Sequence, residues 1–163
     1  MKSVAVFCLG LITGGVLIQL AFAQEQRFER LNHVGMVVEN YDEALDFYTN
    51  EMGFREAYTV RNPDGSPLLT YLQLSRETFL ELIPATDGAQ IGITHFGIEV
   101  DDIDAKVADL RRRGATISDP AMTPANARFA RMRDASGFQI EVMEFGPQAR
   151  QQQAMDAWDR ITR

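Results

Sequence analysis

Thiols, lysines and histidines are scarce in this chain. Its 163 residues include one cysteine, one tryptophan, two histidines and two lysines. The cysteine, Cys8, lies near the N-terminus, so the chain beyond residue 23 has no thiol. That excludes disulfides, a cysteine nucleophile and a thiolate metal site from this part of the protein. Positive charge is almost wholly arginine, and the formal net charge is −7. Nucleic-acid backbones are bound by clustered Lys and Arg, so the balance argues against a nucleic-acid partner. Charge is missing altogether from Ser3 to Ala23. Lys2 precedes that stretch and Ala21-Phe22-Ala23 ends it. A basic start, an apolar run and a small-residue site describe a secretory signal peptide, residues 1–23, and a secreted or periplasmic protein. The alternative is an uncleaved anchor, because a run of this length can cross a bilayer; only then is a membrane a partner. The remaining chain has ordinary globular composition, enough for one core or two small fused ones.

What is present is a repeat. "LNHVGMVV" (Leu31 to Val38) returns 62 residues later as "ITHFGIEV" (Ile93 to Val100). Both runs read apolar, polar, His, apolar, Gly, apolar, any, Val, and their third positions hold the only two histidines, His33 and His95. Each run is a strand by its β-branched, apolar character. Behind the first comes "ENYDEALDFYTNEMGF". Asn40 and Glu43 form a capping box, Tyr41, Leu45, Tyr48 and Met52 lie at helical spacing, and Gly53 stops the helix. Behind the second comes "DDIDAKVADLRRRGA". Here Asp102 caps, Ile103, Val107 and Leu110 line one face, and Gly114 ends the helix. Arg111 to Arg113 in its last turn read as a solvated face matched to the helix dipole. Each half then continues through turns and strands, with a short strand near Tyr58–Arg61 and its counterpart near Thr116–Ser118. The pattern of each half is therefore βαβββ. Within the last strands "FLELI" matches "QIEVM", which puts Glu81 and Glu141 in register, 48 residues after His33 and 46 after His95 respectively.

Strand alternation decides which way these groups point. Val34, Met36 and Val38 share one face, and His33 lies on the other with Gly35 and Val37. His95 likewise opposes Phe96, Ile98 and Val100, while Glu81 and Glu141 oppose their leucine, isoleucine and valine neighbours. Apolar faces are thus free to pack on the helices. If the halves pair with approximate two-fold symmetry, two imidazoles and two carboxylates converge. Two carboxylates facing each other repel, and a divalent cation removes the conflict. Two nitrogen and two oxygen ligands suit Ni, Zn, Mn, Co or Fe, with two positions left for substrate oxygens or water. His33, Glu81, His95 and Glu141 are the expected ligands.

These motifs, "LNHVGMVVENYDEALDFYTNEMGF", "FLELI", "ITHFGIEVDDIDAKVADLRRRGA" and "RDASGFQIEVMEF", resemble the vicinal oxygen chelate superfamily, which includes glyoxalase I, methylmalonyl-CoA epimerase, extradiol dioxygenases and the fosfomycin and bleomycin resistance proteins. The resemblance covers about Leu31 to Phe145. It implies an α+β fold in which two βαβββ modules, residues 28–84 and 92–146, form a cupped mixed sheet with helices outside. It places the family's metal positions on His33, Glu81, His95 and Glu141, a set most similar to bacterial glyoxalase I. Epimerases usually carry Gln at the Glu81 position. The stretch "IPATDG" has Ala85 where glyoxalases commonly have Asn, which argues against lactoylglutathione itself. The implied activity is a lyase or isomerase reaction through a metal-stabilised enediolate or enolate of a small molecule with neighbouring oxygens. Glu141 is the expected proton shuttle and Glu81 its symmetric second. Ring cleavage with Fe(II), epimerisation and non-catalytic binding of a small molecule are the alternatives. The resemblance also implies a homodimer. The tail, 147–163, reads as an amphipathic helix with Met155, Trp158 and Ile161 on the side that packs against the domain or a partner subunit.

Overall fold

The structure, a computed structural model, describes residues 29–161. The segment read as a signal peptide lies outside them. Among the described residues no helix is long and apolar enough to cross a membrane. Strand β1 (Arg30–Val38) leads into helix α1 (Tyr41–Asp46), which continues as one wide π-helical turn (Phe47–Glu51). Then follow β2 (Arg55–Arg61), β3 (Pro67–Gln73) and β4 (Phe79–Pro84). The second half repeats the order with β5 (Gly92–Glu99), α2 (Ile103–Arg112), β6 (Ala121–Met122), β7 (Arg128–Arg133) and β8 (Gln139–Glu144). Helix α3 (Arg150–Ile161) closes the chain. All eight strands form one mixed sheet in the order β2-β3-β4-β1-β5-β8-β7-β6. The fold is α+β, as the repeat predicts.

The sheet is symmetric about its centre. β1 and β5 run antiparallel there, and each is flanked by a parallel partner from its own half, β4 beside β1 and β8 beside β5. One face of each half packs on a helix. Val38, Leu72, Leu80 and Leu82 make a core with Met36, Tyr41, Leu45 and Tyr48. Val100, Ile103, Val107 and Val142 make its counterpart. Burying one such side chain contributes about 1.5–3 kcal/mol, so these two layers carry much of the gross stabilisation. Both helices start as expected. The Asn40 side chain accepts from the Glu43 amide, and that of Asp102 from the Ala105 amide.

Three local expectations need correction. Met52 does not face the core; it is half exposed, and Phe54 packs there instead. The Met52 amide bonds to the Phe47 carbonyl five residues back, so the widened turn rotates Met52 off the buried stripe. The strand near Thr116–Ser118 is reduced to a single bridge from Ile117 to Met132, and the ladder resumes only at Ala121–Met122. Pro120, between them, has no amide hydrogen to give. In the first half the corresponding strand is longer than the stretch from Tyr58 to Arg61 and begins at Arg55.

Helix α3 lies over the first half and ties it to the second. The Arg150 amide bonds to the Ala125 carbonyl, while the Arg150 side chain donates to the Thr59 carbonyl and lies over the Tyr58 ring. Arg76 pairs with Asp159 at 2.9 Å, and Gln73 donates to the Ala154 carbonyl. Met155 is buried with Tyr71 and Phe79, on the domain as the tail's pattern predicts.

Candidate metal centre

Two rows of residues cross the middle of the sheet. In one, Tyr71 (β3) stands beside Glu81 (β4), which stands beside Gly35 (β1) and then His95 (β5). In the other, Arg131 (β7) stands beside Glu141 (β8), then Gly97 (β5) and His33 (β1). Residues level with each other in a ladder point to the same side of the sheet. Each histidine therefore lies over the glycine of the opposite half. A Cβ built on Gly35 would stand 1.9 Å from Cε1 of His95, and one on Gly97 would stand 2.0 Å from Cε1 of His33. Any side chain at either position would displace an imidazole. The two rings meet edge to face, with centroids 5.3 Å apart.

The four residues expected from the sequence come together and are all buried. His33, Glu81 and His95 each offer a ligand atom within 4.8 Å of the others. The shortest contact is His95 Nε2 to Glu81 Oε2, 2.8 Å. His33 Nε2 stands 3.8 Å from Glu81 Oε2 and 3.8 Å from Glu141 Oε2. Glu141 sits at the edge of this group because its other oxygen accepts from Arg131 Nε at 2.9 Å, with Gln139 Nε2 at 3.3 Å.

Each ring is oriented by the residue before it. Asn32 Nδ2 donates to the Glu77 carbonyl, which turns Oδ1 toward His33 Nδ1, 3.2 Å away. A carbonyl only accepts, so Oδ1 must accept from Nδ1–H, and the His33 proton is on Nδ1. Thr94 repeats the device. Its hydroxyl reaches the Gly35 carbonyl at 3.4 Å and its oxygen stands 3.1 Å from His95 Nδ1. In both rings Nε2 is thus the atom turned toward the other groups; that of His33 keeps a free lone pair, and that of His95 meets Glu81 Oε2 at 2.8 Å.

These electrostatics fit a divalent ion. His33 Nε2 is buried with no hydrogen-bond partner, an atom that normally has one. Burial, helped by the neighbouring His95, pulls the His33 pKa down to about 3, so it is a neutral donor of a lone pair. His95 is opposite. Burial pulls it down, but the hydrogen bond and charge of Glu81, with Glu141 behind, outweigh that and raise its pKa. Without a metal, a proton on His95 Nε2 is what separates it from the Glu81 carboxylate. Ligands about 2.1 Å from one ion at right angles stand ~3 Å apart, and the observed 2.8 and 3.8 Å spacings bracket that value.

The centre forms part of the wall of a cavity of about 700 Å³. Glu81, His95 and Glu141 border it, along with Ile83, Ile93, Phe129 and Met143. Its size suits a small molecule. His33 lies deeper, beneath Tyr71, whose phenol faces Glu81 and is held protonated by burial.

The sequence reading missed the roles of Asn32, Thr94, Gly35 and Gly97, although the repeated polar-His-x-Gly order was their signal. It missed Tyr71 and Arg131 entirely, because their place beside the glutamates depends on how each hairpin registers.

With this geometry in view, the comparisons agree. The Glyoxalase/Bleomycin resistance protein/Dioxygenase superfamily matches residues 30–142, and the chain belongs to that family. Among similar proteins, methylmalonyl-CoA epimerase of Mus musculus is 28% identical over 127 residues, covering 69% of this chain and 71% of the relative. Lactoylglutathione lyase of Neisseria meningitidis is 27% identical over 124 residues, covering 71% and 90%. Among solved structures, methylmalonyl-CoA epimerase from Mycobacterium tuberculosis superposes with a TM-score of 0.63 at 26% identity, covering 72% of this chain and 88% of that one.

Proposed function

We propose that this chain is a divalent-metal-dependent enzyme that moves a proton next to a carbonyl in a lyase or isomerase reaction of the glyoxalase I type. The observation that carries the reading is the buried, unpartnered Nε2 of His33 facing two carboxylates, one of which, Glu81, also meets His95 Nε2 at 2.8 Å. His33, Glu81, His95 and Glu141 would hold the ion. When bound, it supplies Lewis acidity to two neighbouring substrate oxygens.

The chain's own residues do the rest. Asn32 and Thr94 engage both Nδ1 atoms, so each Nε2 is aimed inward and is the atom available to a metal. Glu141 is the proton carrier. It borders the cavity, and Arg131 fixes one oxygen so that the other faces the centre. A positioned carboxylate of this kind takes the proton from one carbon and returns it to another carbon or face. Glu81 is more enclosed, between His95 and the Tyr71 phenol, and its first task is to hold the centre. Epimerisation is the second reading, favoured by the epimerase relatives, and it uses the same proton transfer.

Metal analysis of protein purified without chelator, followed by proton exchange in deuterated solvent, tests this. The probes are 2-oxoaldehyde–thiol adducts and acyl-CoA thioesters. Native protein should retain metal and turn over or exchange one class, and His95→Ala should lose the metal. Glu141→Gln should lower turnover by about two to four decades with its fold kept. Metal equally retained by native and His95→Ala proteins, or full activity in Glu141→Gln, would overturn the assignment.

A further inference from the structure

The metal centre accounts for Glu81, Glu141 and one N–H of Arg131, but not for the rest of that guanidinium or for Arg133. The charged side chains around the cavity are Glu81, Glu141, Arg131 and Arg133. Arg131 donates one N–H, from Nε, to Glu141, and its guanidinium carbon lies 4.6 Å from the centroid of the Phe129 ring. Its terminal nitrogens have no protein partner among the described residues. Arg133, two residues along the same strand and so on the same face, donates to the Gly137 carbonyl at 2.6 Å. Among the described residues no carboxylate pairs with it. In the first half the matching ladder positions hold the neutral Tyr71 and Gln73, both buried. The cationic side chains of the cavity are therefore on one wall only, that of β7.

The charge balance of the cavity depends on the ion. Without an ion, two carboxylates balance two guanidinium groups. Both histidines are neutral as metal ligands, so a divalent ion adds two positive charges that nothing on the cavity wall offsets. In a protein of net charge −7 this leaves a locally cationic cavity. We propose that Arg131 and Arg133 form an anion-binding wall, and that the substrate is a small oxyanion, a carboxylate or phosphate, whose charged group lies against β7. The planar guanidinium fork suits both groups. Phe129 and Glu141 hold Arg131 in place, and the Gly137 carbonyl holds Arg133, so the wall is built before the ligand arrives. This inference rests on the proposed metal reading and names the substrate class for the same centre.

The test uses three metal-chelating probes with one common head, measured by calorimetry on the metal-loaded full chain. Acetohydroxamate has an uncharged tail, succinate monohydroxamate a carboxylate tail, and 3-phosphonopropionohydroxamate a phosphonate tail. At least one charged-tail probe should bind ten-fold or more tighter than acetohydroxamate, and which of the two does so separates carboxylate from phosphate. The advantage should shrink with added salt, disappear in Arg133→Gln and largely return in Arg133→Lys. Metal content is measured in each variant. Equal affinity for all three probes in native protein, or an advantage that survives in metal-retaining Arg133→Gln, overturns the anion wall and leaves the metal reading standing. A native protein that binds no metal overturns both.

Discussion

The two halves share a backbone plan but not an environment. His33 and His95 are related by the repeat, each oriented by the residue before it and each lying over the other half's glycine. Yet His33 is 0% exposed, beneath Tyr71 in the half that the C-terminal helix α3 covers, while His95 borders the cavity. Beside Glu81 stands a buried phenol; beside Glu141 stands a half-exposed guanidinium. The difference separates two jobs. If the four groups hold one ion, as proposed, the repeat supplies the ligands as two equivalent pairs. A small substrate is not symmetric, so residues that would meet it are free to diverge, and the two halves differ most on the β7 side.

The sharpest way to break the equivalence is through the glycines. Gly97→Ala and Gly35→Ala each force a methyl group into an imidazole. Overpacking of this kind costs about 1–3 kcal/mol. His33 has packed neighbours on every side, whereas His95 has cavity to move into, so Gly97→Ala should lose more stability in urea unfolding. It should also lose the bound metal, and Gly35→Ala should retain some. Equal costs would mean that the buried and open halves respond alike.

The orienting residues come next. Asn32→Ala removes the acceptor that keeps the His33 proton on Nδ1, inside the fully buried half. Thr94→Ala does the same for His95, whose ring retains its contact with Glu81. Loss of such a partner costs about 10–100-fold in metal affinity. Asn32→Ala should stand at the upper end and Thr94→Ala at the lower, read by competition with a chelator.

Within a pH unit of 6.5, the smallest effect expected is the pH dependence of the metal-free protein. The pKa of His33 is about 3 folded against the usual 6.5, so below pH 6.5 the unfolded chain takes up a proton that the folded one does not. Stability should fall there by up to about 1.4 kcal/mol per pH unit. His95 is shifted the other way: its pKa is raised, so its contribution is complete below pH 6.5 and is lost as pH rises through the folded value. The contribution of the two histidines to stability should peak near pH 6.5. His33→Gln should flatten the acid side of that peak and His95→Gln the alkaline side, in thermal melts across pH. A peak unchanged by both variants would show that neither histidine sets it.

Much of this arrangement was legible from residue order. The repeat of His-x-Gly strands, the caps Asn40 and Asp102, and the register of Glu81 with Glu141 all follow from spacing and alternation, which act within a few residues. Met52 was misplaced because a single wide turn changes the helical period, and apolar spacing carries no mark of it. The strand near Thr116–Ser118 was shortened by Pro120, a signal that stood in the sequence unread. Arg131 was invisible as a neighbour of Glu141, since that pairing depends on the register of the β7–β8 hairpin.

By itself, then, the sequence determined two βαβββ units and four metal-competent side chains on one face of the strands, because periods of two and 3.6 residues are local properties. Only the tertiary structure decided that β1 and β5 pair antiparallel with His33 level with Gly97 and His95 level with Gly35. That pairing joins strands some sixty residues apart in the chain, and it is set by burying two helix-packed faces at once. From it follow the crossing of the imidazoles, the unpartnered nitrogen at their centre, and the cationic wall on one side of the cavity.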